Sequence, residues 1–202
     1  MLEHVGNSNS SMRDKLRHFS MAFSNLNNMA KLRFRLHASN STIQLPFTVT
    51  NIDNLFVGTN VFIGGNAWFD LGKNTKVYIG NSTGIGRYCQ ISGGWAEMQD
   101  HIRIGATVMM GDRVFMTTTD HDYTDISKSI REQQVVSKGS ITIENDSWIG
   151  VGACIMPGVR IGRHVVIGAN SVVTNSIPAY SVAVGNPAKV IKKYDFKVAK
   201  WV

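Results

Sequence analysis

Of the six histidines in the chain, His121 has the setting richest in chemistry: the stretch TTTDHDYTD places it between Asp120 and Asp122, with Asp125 close behind. An imidazole changes charge near neutral pH, which suits it to taking a proton from a hydroxyl there. The three carboxylates either orient the ring or solvate the loop, and spacing leaves both open. His4, His18, His37, His101 and His164 lack such company and read as idle surface side chains. A second group of chemically useful residues closes the chain, where Lys189, Lys192, Lys193, Lys197 and Lys200 are available to solvent or to phosphate. Cys89 and Cys154 lie far apart with no CxxC or Cys/His spacing, so neither a disulfide framework nor a zinc site is expected, and both read as buried free thiols.

What must position these groups is a repeat of period six. From Ile143 the chain reads IENDSW, IGVGAC, IMPGVR, IGRHVV, IGANSV, VTNSIP, with Ile143, Ile149, Ile155, Ile161, Ile167 and Val173 at every sixth place. The fifth place of each hexad holds Ser147, Ala153, Val159, Val165, Ser171 and Ile177. One aliphatic and one small or β-branched inward residue per six is what three flat faces per turn require, whereas a helix would want apolar residues three and four apart. Earlier hexads, VGTNVF and IGGNAW from Val57, IGNSTG and IGRYCQ from Ile79, IGATVM and MGDRVF from Ile104, repeat the pattern with slips between blocks. The repeat breaks between Met116 and Ile143, so residues 117–142 are expected to form an excursion loop thrown out of the coil, and His121 stands at its start.

The pattern divides the chain into a cap (1–45), an all-β solenoid (46–188) and a closing segment (189–202). In the cap, Met12, Leu16, Phe19, Phe23, Leu26 and Ala30 predict an amphipathic helix with basic residues between them, followed by a strand-like KLRFRLH. Such a helix either covers the open end of the solenoid or lies on a membrane surface as a peripheral contact. In the closing segment, Val190, Ile191, Tyr194, Val198 and Trp201 are spaced for a helix. The net charge of +7 suits nucleic acid, an anionic membrane or a small polyanion, and no nucleic-acid-binding motif accompanies it. With no signal-peptide pattern and no run of about 20 apolar residues, a soluble cytoplasmic protein is expected.

The stretch WIGVGACIMPGVRIGRHVVIGANSVVTNSIPAYSVAVGNPAKVIKK from Trp148 resembles the acetyl-CoA-binding half of the hexapeptide-repeat acetyltransferases, such as the galactoside, maltose, xenobiotic and capsule-sugar O-acetyltransferases. The weaker hexads extend the resemblance over residues 57–193. It implies a left-handed parallel β-helix and a homotrimer, with acetyl-CoA as co-substrate in a cleft between subunits that the excursion loop helps to form. It further implies His121 as the catalytic base. Trp148, Val151, Ala169, Thr174, Asn175, Lys189 and Lys192 match positions that contact the coenzyme, although Val151 stands where the sugar enzymes have serine and Asn175 where they have lysine. The implied acceptor is a hydroxyl of a sugar, in an envelope or capsular polysaccharide precursor. The acceptor-binding asparagine of the family does not carry over onto the glycine-rich ISGGWAEM from Ile91. Transfer to a nucleotide amino sugar or an antibiotic is the alternative, and a non-catalytic trimeric scaffold is the rival of a different class. Zinc hydratases of the γ-carbonic anhydrase kind share the fold but need three histidines, and His121 has no histidine partner at suitable spacing, so no metal is expected.

Overall fold

A computed structural model describes residues 39–202; the amphipathic helix and the KLRFRLH strand lie outside the described residues. From Thr42 the chain visits three flat parallel sheets in strict rotation. The first face stacks Thr42–Ile43, Phe62–Ile63, Gly84–Ile85, Met109–Met110, Trp148–Ile149, Val166–Ile167 and Ser181–Gly185. The second stacks Phe47–Val49, Ala67–Leu71, Gln90–Gly93, Phe115–Thr117, Cys154–Ile155 and Val172–Val173. The third stacks Leu55–Val57, Thr75–Ile79, Asp100–Ile104, Ile141–Ile143 and Arg160–Ile161, which is bridged in turn by Ile177.

The hexad aliphatics line up inside as ladders. Ile63, Ile85, Met110, Ile149, Ile167 and Ala183 are in register on the first face, and Phe69, Ile91, Met116, Ile155 and Val173 on the second, all buried. Burying a side chain of this size contributes roughly 1.5–3 kcal/mol, against about 0–1 kcal/mol for an exposed ion pair such as Arg87–Asp112 or Arg163–Asp146. The aliphatic ladder therefore holds the coil. Serines at the fifth hexad place are buried without loss because each hydroxyl closes a corner: Ser147 Oγ donates to the Gly162 carbonyl at 3.0 Å and accepts from Val165 N–H at 3.2 Å.

The closing segment is not a helix. Ala188–Asp195 runs antiparallel to Ser181–Gly185, and Lys200–Trp201 folds back on Tyr194–Asp195. The last strand of the first face offers a row of unpaired backbone groups, and the GNPA turn returns the chain alongside it, which satisfies more backbone than an isolated helix would. The helical spacing does not mark a buried stripe either, since Ile191 and Val198 are exposed, while Tyr194, Phe196 and Trp201 cluster edge to face. His164, read as idle, stacks against Tyr180 and Trp201 in the same cluster.

Candidate active site

The excursion leaves the coil at the corner between the second and third faces. Thr119–His121 pairs antiparallel with Val135–Ser137, so the loop has a hairpin stem of its own, with His121 opposite Val135 at its outer end. The stem is tied to the coil by Lys138 N–H on the Thr118 carbonyl (3.0 Å) and by Ser137 Oγ donating to Asp100 Oδ2 (3.1 Å). Burial pushes the Asp100 carboxyl above its usual range, opposed by the hydroxyls of Thr118 and Ser137.

Beyond the stem, the carboxylates serve the loop. Asp122 Oδ1 accepts from the backbone N–H and hydroxyl of Thr124, and Asp125 Oδ1 accepts from the same groups of Ser127 while its other oxygen meets Lys128 Nζ. The Thr124 bonds hold Asp122 below its usual pKa, and the Ser127 hydroxyl, Lys128 and the Ser127 N–H do the same for Asp125. Asp120 Oδ1 accepts from the backbone N–H of His121 at 2.9 Å. All three thus shape the turn, and among the described residues none bonds to the imidazole ring.

His121 opens into a cleft of about 640 Å³ on the outside of the second face, shared with Asp70, Trp95, Thr117, Asp120, Val135 and Met156. Asp70 and Trp95 carry no signal in the hexad pattern. Asp70 lies on Ala67–Leu71, level with Ser92, and Trp95 follows the pair Gly93 and Gly94. Gly94 has φ +77°, and a Cβ there would lie 2.4 Å from the Thr75 nitrogen, so the chain passes tight against its neighbour and lifts Trp95, 55% exposed, off the surface. The glycine-rich break in ISGGWAEM was the visible trace of this.

The residues matched to coenzyme contacts fall into two groups. Trp148, Val151 and Ala169 gather at the corner between the first and second faces, where Asn170 N–H donates to the Val151 carbonyl at 2.8 Å. Trp148, half exposed, stands in a cross-strand row with Val166, Val182 and Lys192, and Lys189 is paired with Val184 beside it. Thr174 and Asn175 instead sit past the second face, on the His121 corner, with Thr174 one coil above Met156 and Asn175 Nδ2 donating to Thr174 Oγ1 at 3.1 Å. The width of the second face separates the groups.

Comparison with known proteins bears on the family and the fold. Residues 140–175 match the family described as Bacterial transferase hexapeptide (six repeats). The galactoside O-acetyltransferase of Escherichia coli is 32% identical over 151 residues, which are 73% of this chain and 71% of that one. A protein of Mycobacterium tuberculosis named a probable acetyltransferase is 38% identical over 117 residues, 58% of this chain, which spans only 35% of that relative's length. Among solved structures, AntD, an N-acyltransferase from Bacillus cereus in complex with dTDP and 3-hydroxybutyryl-CoA, superposes with a TM-score of 0.65 at 24% identity, covering 79% of this chain and 82% of the other, a likeness of fold.

Proposed function

Because the chain belongs to the hexapeptide-repeat acetyltransferase family, we propose that it moves an acetyl group from acetyl-CoA to a hydroxyl of a sugar, in an envelope or capsular polysaccharide precursor, with His121 as general base. The observation that carries the reading is the His121 cleft itself. An exposed imidazole faces the same space as the Trp95 ring and the carboxylates of Asp70 and Asp120. An indole stacks on the apolar face of a sugar ring, and carboxylates accept from its hydroxyls. The acceptor hydroxyl gives its proton to the imidazole as its oxygen attacks the thioester carbonyl, and the imidazolium returns the proton to the departing thiolate.

The two groups of coenzyme-matched residues support a trimer in which each cleft is shared. Trp148, Val151, Ala169, Lys189 and Lys192 of one subunit would hold the coenzyme against the corner of its neighbour that carries His121, Thr174 and Asn175. The lysines meet the phosphates by charge, and the exposed turns offer backbone amides to the pantetheine arm. Left-handed winding, as in the family, is part of the same reading.

The test follows thiol release from acetyl-CoA over a panel of neutral sugars, amino sugars and antibiotics. Sugar hydroxyls are expected to turn over, and His121→Ala is expected to lower that turnover by roughly 10²-fold or more with the oligomer and its melting point unchanged. Near-normal turnover in the variant removes His121 from the mechanism, and turnover on amino sugars alone replaces O- by N-acetylation.

A further inference from the structure

The third face carries a group of side chains that the acetyl-transfer reading does not use. On its outer surface, Lys76 and Tyr78 of Thr75–Ile79 stand level with His101 and Arg103 of Asp100–Ile104, so four side chains form a block two strands wide, with strands about 4.8 Å apart. Lys73 enters from the preceding turn, and together they line an open cleft of about 380 Å³. Arg103 lies over the Tyr78 ring, its guanidinium carbon 4.9 Å from the centroid, and Phe56 stacks on Tyr78 at 4.9 Å with the rings 14° apart. His101 Nδ1 is 3.1 Å from Ser140 Oγ, which fixes the ring at the cleft wall.

What marks the cluster is its lack of counter-charge. Elsewhere in the coil Arg87 meets Asp112, Arg160 meets Glu144 and Arg163 meets Asp146. Among the described residues Lys73, Lys76 and Arg103, all exposed, have no carboxylate within ion-pair distance. The one carboxylate in the cleft wall, Asp100, is buried and turned onto Ser137, and burial works against its ionisation. Three cations that line one cleft repel one another unless an anion sits among them. Ammonium and guanidinium groups lining one cleft suit the spread charge of phosphate oxygens.

We propose that the cleft formed by Lys73, Lys76, Tyr78, His101 and Arg103 is a second binding site, which takes a ligand bearing a phosphate or diphosphate group. It is set apart from the lysines matched to the coenzyme, which lie on the first face. The probe is inorganic pyrophosphate, titrated calorimetrically into the full chain at low ionic strength, where exposed charges are least screened. The background carries Lys189→Gln and Lys192→Gln, so that the coenzyme-matched lysines are silent. One pyrophosphate per chain is expected. Adding K73Q, K76Q and R103Q should weaken binding at least tenfold, while K193Q, K197Q and K200Q, which remove the same net charge elsewhere, should leave it within twofold. Lys76→Gln alone, on the outer side of Thr75–Ile79, should weaken it threefold or more. Absence of binding in the background, or equal losses from the two triple variants, overturns the site. The readout needs no acetyl transfer, so it stands or falls separately from the catalytic reading.

Discussion

At the scale of single residues, Cys89 shows how position decides chemistry. Its side chain is fully buried, its Sγ donates to the Gly111 carbonyl at 3.2 Å, and burial pushes the thiol up to about 11. Since the thiolate is the reactive form, only on the order of 0.1% of it exists at pH 8. Cys89 is therefore expected to resist iodoacetamide at pH 8 in the folded protein and to react once the chain is denatured, as read by peptide mass spectrometry. Alkylation of native Cys89 would contradict its burial. The free, buried thiol of Cys89 was legible from sequence, because no CxxC or Cys/His spacing offers it a partner. The work of Asp120, Asp122 and Asp125 was not, because a carboxylate that caps a turn and one that orients a ring have the same spacing. Asp70 and Trp95 were hidden for another reason: they join the His121 cleft from other coils, and apart from the glycine-rich break before Trp95 no linear pattern records that.

At the scale of elements, the close approach of successive coils sets the tolerance. A Cβ added to Gly150 would lie 2.5 Å from the Ala169 nitrogen and 2.7 Å from the Gly168 carbonyl carbon. Backbone on the next coil cannot yield as a side chain can, so Gly150→Ala is expected to destabilise by about 1–3 kcal/mol or more, the range for overpacking. Chemical denaturation with an unchanged denaturant slope would show it, and unaltered stability would refute the contact. The hexads from Ile143 to Ile177 translate directly into strands because one aliphatic in six is a demanding pattern. The closing segment deceived because Val190, Ile191, Tyr194, Val198 and Trp201 satisfy helical spacing by accident. What decided its form was the open edge of Ser181–Gly185, a tertiary fact that also draws Lys189 and Lys192 level with Val184 and Val182.

For the whole molecule, the separation of the two coenzyme-matched groups by the second face yields a test of shared clefts. His121→Ala chains and chains carrying Lys189→Glu with Lys192→Glu should each be nearly inactive alone. Mixed by co-expression, they should recover a substantial fraction of activity, because some clefts would join an intact His121 corner to an intact lysine row. No recovery would place both groups of a working cleft in one subunit. The rotation of the chain through its faces has a further consequence for descent. In the coils after the excursion, paired residues such as Ile149 with Ile167 or Ile155 with Val173 are eighteen apart. An insertion of six within the coil keeps the ladders but turns every later residue onto the next face, as a frameshift turns every later codon. Corners vary in length without loss of frame, since paired residues are 20 apart at Ile43 and Ile63, 22 at Ile63 and Ile85 and 25 at Ile85 and Met110, but strands must be added or removed in threes. The excursion from 118 to 140, which carries His121, lies outside this count altogether, so changes of length there leave the ladders of the coil undisturbed.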